Sequence, residues 1–262
     1  MAEAFIKGVI RREAWPGDGL CVVNRGSGQR LEELQEHYGI VPSQWSVAAA
    51  ARLVVVAVKP FDMAQALAQL SPWLHGQPVL SFAAGVSLAW MREQIVGKSP
   101  VIRTMPNIPV AVLAGAVALT FEAGVPETDR DLVRYLLGRL GEVVEVQEEL
   151  MDAATAFSGS GPGFVSYFLE AMEEAAVELG FTPEMARELL LQTVVGTALT
   201  LREWGISPQE LRRRVSSPGG TTEAGVRVLK AGDLSGLVHR ALQAAAARST
   251  EMGQSYTPTE SP

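Results

Sequence analysis

The apolar positions change rhythm once along the chain. From Leu20 to about Val146, short β-branched runs alternate with stretches whose apolar residues recur every three to four positions. That is the pattern of a parallel sheet covered by helices. Strands are predicted at 20–24 (LCVVN), 53–58 (LVVVAV), 79–83 (VLSFA), 101–104 (VIRT), 116–120 (AVALT) and 142–146 (EVVEV). LVVVAV lacks polar alternation, as a central strand buried on both faces should. Helices are predicted in SGQRLEELQEHYG, MAQALAQLSPWL and ETDRDLVRYLLGRLG, and the chain opens on a helical stripe of Phe5, Ile6, Val9 and Ile10. After Gln147 the long helical patterns Phe164 to Gly180, Pro183 to Trp204, Thr222 to Lys230 and Leu234 to Arg248 follow with no strand between them. The division expected is an α/β domain over 1–147 and an all-helical domain over 148–262, ending in the polar tail SYTPTESP.

Composition narrows the function. With 47% hydrophobic and 19% charged residues, the 262-residue chain has ample core for two domains. Its net charge of -7, from 22 Lys+Arg against 29 Asp+Glu, argues against nucleic acid as a partner. The single cysteine, Cys21, precludes an internal disulfide, and His37, His75 and His239 have no metal-ligand spacing, so no metal is expected. The uncharged run Thr104 to Phe121 is broken by Pro106, Pro109 and Gly115 and lacks interfacial anchors, against a membrane span. No signal-peptide pattern is visible; the expectation of a cytoplasmic location rests instead on the single cysteine, together with the family resemblance given below.

Several segments carry candidate chemistry. In dinucleotide-binding sheets the second strand ends beside the adenosine ribose, where an acidic residue selects NAD. Here the segment reads CVVNRGSGQR, and Asn24 and Arg25, with Ser27, favour a 2′-phosphate and hence NADP; a polar strand-to-helix turn accounts for it equally. VAVKPFD places Lys59 and Pro60 at a strand's carboxyl end, where open α/β sheets bind ligands. Ala83, Ala84 and Gly85 would admit a flat ring, or simply a close helix. SGSGPGF (158–164) and SSPGGTT (216–222) each lead into a helix, but neither is a phosphate loop or a nucleophile elbow. The second offers backbone N–H groups, two hydroxyls and a helix amino end, which suit a small carboxylate as well as an ordinary capped turn. Arg212, Arg213 and Arg214 read as a solvated face.

The strings MAEAFIKG, NR, AVKP, AAGVSL, RTMPN, MDAATAFSGSGP and VSSPGGTTEAG occur in that order, and with them the chain resembles the pyrroline-5-carboxylate reductase family over nearly its whole length. The resemblance implies a Rossmann-like domain, a helical domain that forms an intertwined homodimer, often with assembly into larger rings, and NADPH-dependent reduction of Δ1-pyrroline-5-carboxylate to L-proline, with NADH a weaker cofactor. It assigns Asn24 and Arg25 to the ribose-phosphate turn, Ala57, Val58, Lys59 and Pro60 to cofactor contact, Ala83 and Ala84 to the nicotinamide side and Asn107 to the cleft. It assigns Ser217, Pro218, Gly219, Gly220, Thr221 and Thr222 to the substrate loop, with Glu203 as an acidic residue ahead of it. The amides around Gly219, Gly220 and Thr221 are expected to hold the substrate carboxylate, and the Thr222 hydroxyl to orient the imine nitrogen. Ile108 and Gly163 are mild departures from the family pattern.

The larger departure is the start. Family members begin with a strand and a turn like G-x-G-N-M-A-E-A, and this chain begins at the Met of that string. Losing a central strand forfeits on the order of ten ladder bonds at ~1 kcal/mol each, against a total stability of ~5–15 kcal/mol. A start codon assigned too late is therefore expected over a genuine truncation. The other readings are a non-catalytic paralogue dimerising through the helical domain, and a related NADP-dependent reductase of another imine or a 3-hydroxy acid.

Overall fold

The computed structural model describes residues 1–26, 28–97 and 99–254; Ser27 and the tail from Ser255, both read above, lie outside the described residues. The chain forms two compact units, one of Met1–Pro162 with the chain from Gln243 onward, the other of Gly163–Leu242.

In the first unit α1 (Ala2–Arg11) starts without a side-chain cap and buries Phe5, Ile6 and Val9, the stripe its sequence predicts. β1 (Cys21–Val22) pairs in parallel with β2 (Val41–Pro42) across the crossover helix α2 (Gly28–Tyr38), and α3 (Trp45–Ala49) follows. The second sheet alternates β3 (Val54–Val56), α4 (Met63–Leu70), β4 (Val79–Ser81), α5 (Leu88–Gln94), β5 (Val101–Pro106), β6 (Gly115–Phe121), α6 (Glu127–Leu137) and β7 (Gly141–Glu145). Its strand order is β3-β4-β5-β6-β7. The pairs are parallel except β5 with β6, which is antiparallel. Only the short turn Ile108–Val112 links those two strands, too little chain for a parallel crossover of about a dozen residues.

Adjacent residues of one strand enter different cores, as burial on both faces requires. Val79 and Val101 pack with Met63, Leu67 and Met91; Leu80 and Ile102 pack with Phe5, Val9 and Leu137. β2 is absent from the sequence expectations because a two-residue strand ending in proline has no alternation to read. The predicted central strand 53–58 pairs only over Val54–Val56, and Val55 is just half-buried.

The cause is a break in the sheet. β1–β2 and β3–β7 are separate sheets, and among the described residues no strand joins β1 to β3. Between them lies a slot of about 630 Å³, flanked by segments 20–24 and 52–58 and closed by α1 on one side and α3 on another. Val54 donates to Pro78 and Val56 accepts from Phe82, so the N–H and C=O groups of Leu53, Val55 and Ala57 point the other way, toward the slot.

Among the described residues, β5 carries the one buried charge. Arg103 is 5% exposed and pairs with Glu148 at 2.8 Å and Asp152 at 3.6 Å, the latter in α7 (Met151–Ala154). Glu148 also accepts from the Leu88 amide that opens α5, and Asp152 accepts from Ser249 and Thr250 near the carboxyl end of α12 (Leu234–Gly253). A π-helical turn, Thr155–Gly159, follows α7.

The second unit is helical. α8 (Gly161–Glu178), α9 (Pro183–Trp204), α10 (Pro208–Val215) and α11 (Thr221–Ala231) precede α12, and no strand follows β7 among the described residues. α10 was not predicted because PQELRRRV has almost no apolar stripe. Ser207 starts it by accepting from the Glu210 amide, with Pro208 in the first turn.

Arg103→Met keeps the volume but leaves two carboxylates without their cation. Both are about a third exposed and keep some hydration, so the expected loss is about 2–3 kcal/mol, below that of a fully buried pair. A urea midpoint within error of the parent's would refute this.

Candidate functional site

β3, β4 and β5 run parallel, so the segments that follow them emerge at one edge of the sheet. Ala57, Val58, Lys59 and Pro60 follow β3, Ala83 and Ala84 follow β4, and Asn107 follows β5. Lys59 lies 5.8 Å from the Phe61 ring, and Pro60 begins a short 3-10 turn. Asn24 and Arg25 follow β1, in the other sheet, yet the Arg25 side chain reaches this edge. It donates to Asp62 Oδ1 at 2.6 Å and to Gln65 Oε1, while Asn24 accepts from the Gly26 amide at 3.3 Å.

The small residues after β4 are used partly for packing. Ala83 is buried, with its amide donating to Ser81 Oγ at 3.1 Å, and Ala84 is half-buried. A side chain at Gly85 would meet the backbone of Gly253 at about 3.4 Å, so the end of α12 occupies that approach. Asn107 is a clamp: its amide nitrogen donates to Ser158 O and its oxygen accepts from the Ala116 amide, each at 3.0 Å. Through it the π-turn is fastened to β6. At Gly159 a Cβ would come within 2.6 Å of Met105 Cε, the flexible end of a side chain that can shift to admit it.

The loop 216–220 is described within the second unit. Gly219 takes φ +71, the left-handed region that favours glycine. Its amide donates to Glu223 Oε2 at 2.7 Å and the Gly220 amide donates to Ser217 O at 2.9 Å, so two of the three expected donors are engaged inside the loop. The amides of Thr221, Thr222 and Glu223, by contrast, open α11 with no acceptor inside the helix. The usable anion donors thus begin at Thr221, two positions after Gly219, the first of the three amides expected. Thr222 is half-buried, and Glu203 lies in the last turn of α9 with no hydrogen bond or ion pair to the loop. Arg213 and Arg214 pair with Glu210. The Arg214 hydrogen bond chiefly holds the Glu210 carboxyl below its ordinary range, burial opposes this, and the charges of Arg213 and Arg214 add to it. Among the described residues no cluster of His, Cys, Asp and Glu is arranged to hold a metal, and no helix is long and apolar enough to cross a membrane.

Asp62, Gln65 and Glu223 were not singled out from sequence. Their partners follow only from the turns that fold them back, and a lone acid after a proline carries no such signal.

Comparison with known proteins fits this arrangement. A family model described as pyrroline-5-carboxylate reductase dimerisation matches residues 148–252, and one described as NADP oxidoreductase, coenzyme F420-dependent, matches residues 1–85. Pyrroline-5-carboxylate reductase 1 of Bacillus subtilis is 35% identical over 266 residues, covering 100% of this chain and 89% of that protein. The chain belongs to the pyrroline-5-carboxylate reductase family. A solved pyrroline-5-carboxylate reductase from Coxiella burnetii superposes with a TM-score of 0.90 at 34% identity, covering 96% of this chain and 94% of that one. The pyrroline carboxylate reductase of Plasmodium falciparum, solved with NADP bound, gives 0.84 at 26% identity and covers 96% and 94%. Membership makes the first unit an NAD(P)-binding domain of an oxidoreductase family and the helical region a dimerisation domain.

Asn107→Ala strands the Ala116 amide and the Ser158 carbonyl and is expected to cost about 1–3 kcal/mol. Asn107→Asp restores only the acceptor and should recover part of that loss. Equal denaturation midpoints for the parent and Asn107→Ala would refute the clamp.

Proposed function

We propose that this protein reduces Δ1-pyrroline-5-carboxylate to L-proline with NADPH. The observation that carries the reading is the amino end of α11, where the Thr221 and Thr222 amides open beside the hydroxyl of half-buried Thr222, in a chain whose whole length matches 89% of a pyrroline-5-carboxylate reductase. The substrate carboxylate accepts from the Thr221 and Thr222 amides at the positive end of the helix. The Thr222 hydroxyl accepts from the protonated ring nitrogen and fixes the plane of the C=N bond. NADPH, when bound, supplies the hydride that the C=N carbon needs. The proton on the ring nitrogen accompanies the substrate, so positioning dominates the protein's contribution.

The residues present fit that cofactor at its phosphate end. Arg25 is 58% exposed and spends two of its five N–H donors on Asp62 and Gln65, leaving the rest for a 2′-phosphate beside Asn24. Ala57, Val58, Lys59 and Pro60 line the strand edge, Ala83 and Ala84 flank the nicotinamide side, and Asn107 acts by holding the neighbouring turn.

The helical unit supports a homodimer. Within Gly163–Leu242 only Ala186 and Leu190 are buried, while Tyr167 is 76% and Leu179 82% exposed. So much bare apolar surface calls for a second copy to cover it.

The direct test follows NADPH oxidation with pyrroline-5-carboxylate. Oxidation that depends on both the protein and the imine is expected, and none would overturn the reading. Thr222→Ala should lower kcat/KM by about ten- to a hundredfold, equivalent to about 1.5–3 kcal/mol; unchanged kinetics would remove that role. For the dimer, the thermal midpoint should rise with protein concentration, and a midpoint constant over a hundredfold range would count against it.

A further inference from the structure

Arg25 and its partners join parts of the first unit that no strand pairing connects. Arg25 leaves the end of β1. Asp62 closes the turn after β3, and Gln65 lies in the first turn of α4. The guanidinium is thus steered across the end of the slot by a carboxylate and an amide. Asp62 is 24% exposed against 58% for Arg25, so the anchor is the more sheltered of the two.

This geometry has two opposing effects on an anion at Arg25. The Asp62 hydrogen bond orients the guanidinium, which favours binding by lowering the entropy of docking. The carboxylate also places a negative charge one guanidinium away from any phosphate that uses the remaining N–H groups. A phosphate near −2 at about 6–7 Å from that charge is repelled, and salt screens the repulsion only in part. An exposed ion pair contributes little orientation, whereas the repulsion acts on the phosphate's full charge. The repulsion therefore outweighs the orientation. A cofactor with a neutral 2′-hydroxyl does not experience it.

We propose that Asp62 is a specificity-setting residue that shares the Arg25 guanidinium with the cofactor's 2′-phosphate and thereby limits the preference for NADPH over NADH. The inference rests on the reading of Arg25 as the 2′-phosphate contact. Asp62 is a positioning residue, acting on the cofactor through Arg25.

The test is equilibrium binding of NADPH, NADH and adenosine 2′,5′-bisphosphate to the full chain, by calorimetry or cofactor fluorescence. Asp62→Asn keeps an oxygen to accept from Arg25 and removes the charge. It should tighten NADPH and the bisphosphate about three- to tenfold, leave NADH within twofold, and lose most of the gain as salt rises from about 0.05 to 0.5 M. Asp62→Glu should restore the parent ratio. Arg25→Ala should weaken NADPH at least tenfold, spare NADH, and abolish the effect of Asp62→Asn in the double variant. Equal weakening of both cofactors by Asp62→Asn, or no change, with Arg25→Ala still selective, overturns the role of Asp62 and leaves the phosphate contact standing. If Arg25→Ala does not distinguish the cofactors, or NADPH does not bind at all, both readings fall.

Discussion

One buried cation fastens three separate elements of the first unit. Arg103 projects from the middle strand of the five-stranded sheet and is enclosed there with two carboxylates. Each carboxylate has a second partner, so the same pair of acids also ties in the start of α5 and the end of α12. A buried ion pair is weak evidence for stability in itself, since desolvation offsets much of its attraction. Its effect here is to make the alternatives costly: moving α7 away separates Asp152 from Arg103, and moving the end of α12 away removes two hydroxyl donors from that carboxylate. The segments Ala83–Gly85 and Asn107, which flank the expected cofactor edge, are held between these anchored pieces.

What the sequence made legible was whatever a run of neighbours encodes. The alternation of β-branched runs with helical stripes revealed the α/β unit, and its end near Gln147 revealed the helical region. Val54, Val79 and Val101 entered the core as their surroundings foretold. Arg103 was invisible because VIRT reads like any strand and Glu148 lies 45 residues further on; the Asp152 bond to Ser249 spans 97. α10 and β2 escaped because one has no stripe and the other no length.

At the candidate site, glycine-rich strings do not tell which backbone donors are available. SPGGTT does open a helix, yet Gly219 and Gly220 spend their amides inside the loop, and an internal carboxylate, Glu223, is the partner of one of them. Counting glycines cannot distinguish a donor already used from one still available. In AAG, closeness to Gly253 accounts for part of what had looked like room for a ligand.

The slot between β1 and β3 bears on how the molecule behaves among other chains. Exposed sheet edges are normally guarded by lysine, proline, a bulge or a covering element, because each is a template for a foreign strand. The residues whose backbone groups turn toward this slot, Cys21 and Val23 on one rim and Leu53, Val55 and Ala57 on the other, carry no charge to repel one. Two such rims facing each other offer backbone pairing to one extended segment from both sides at once.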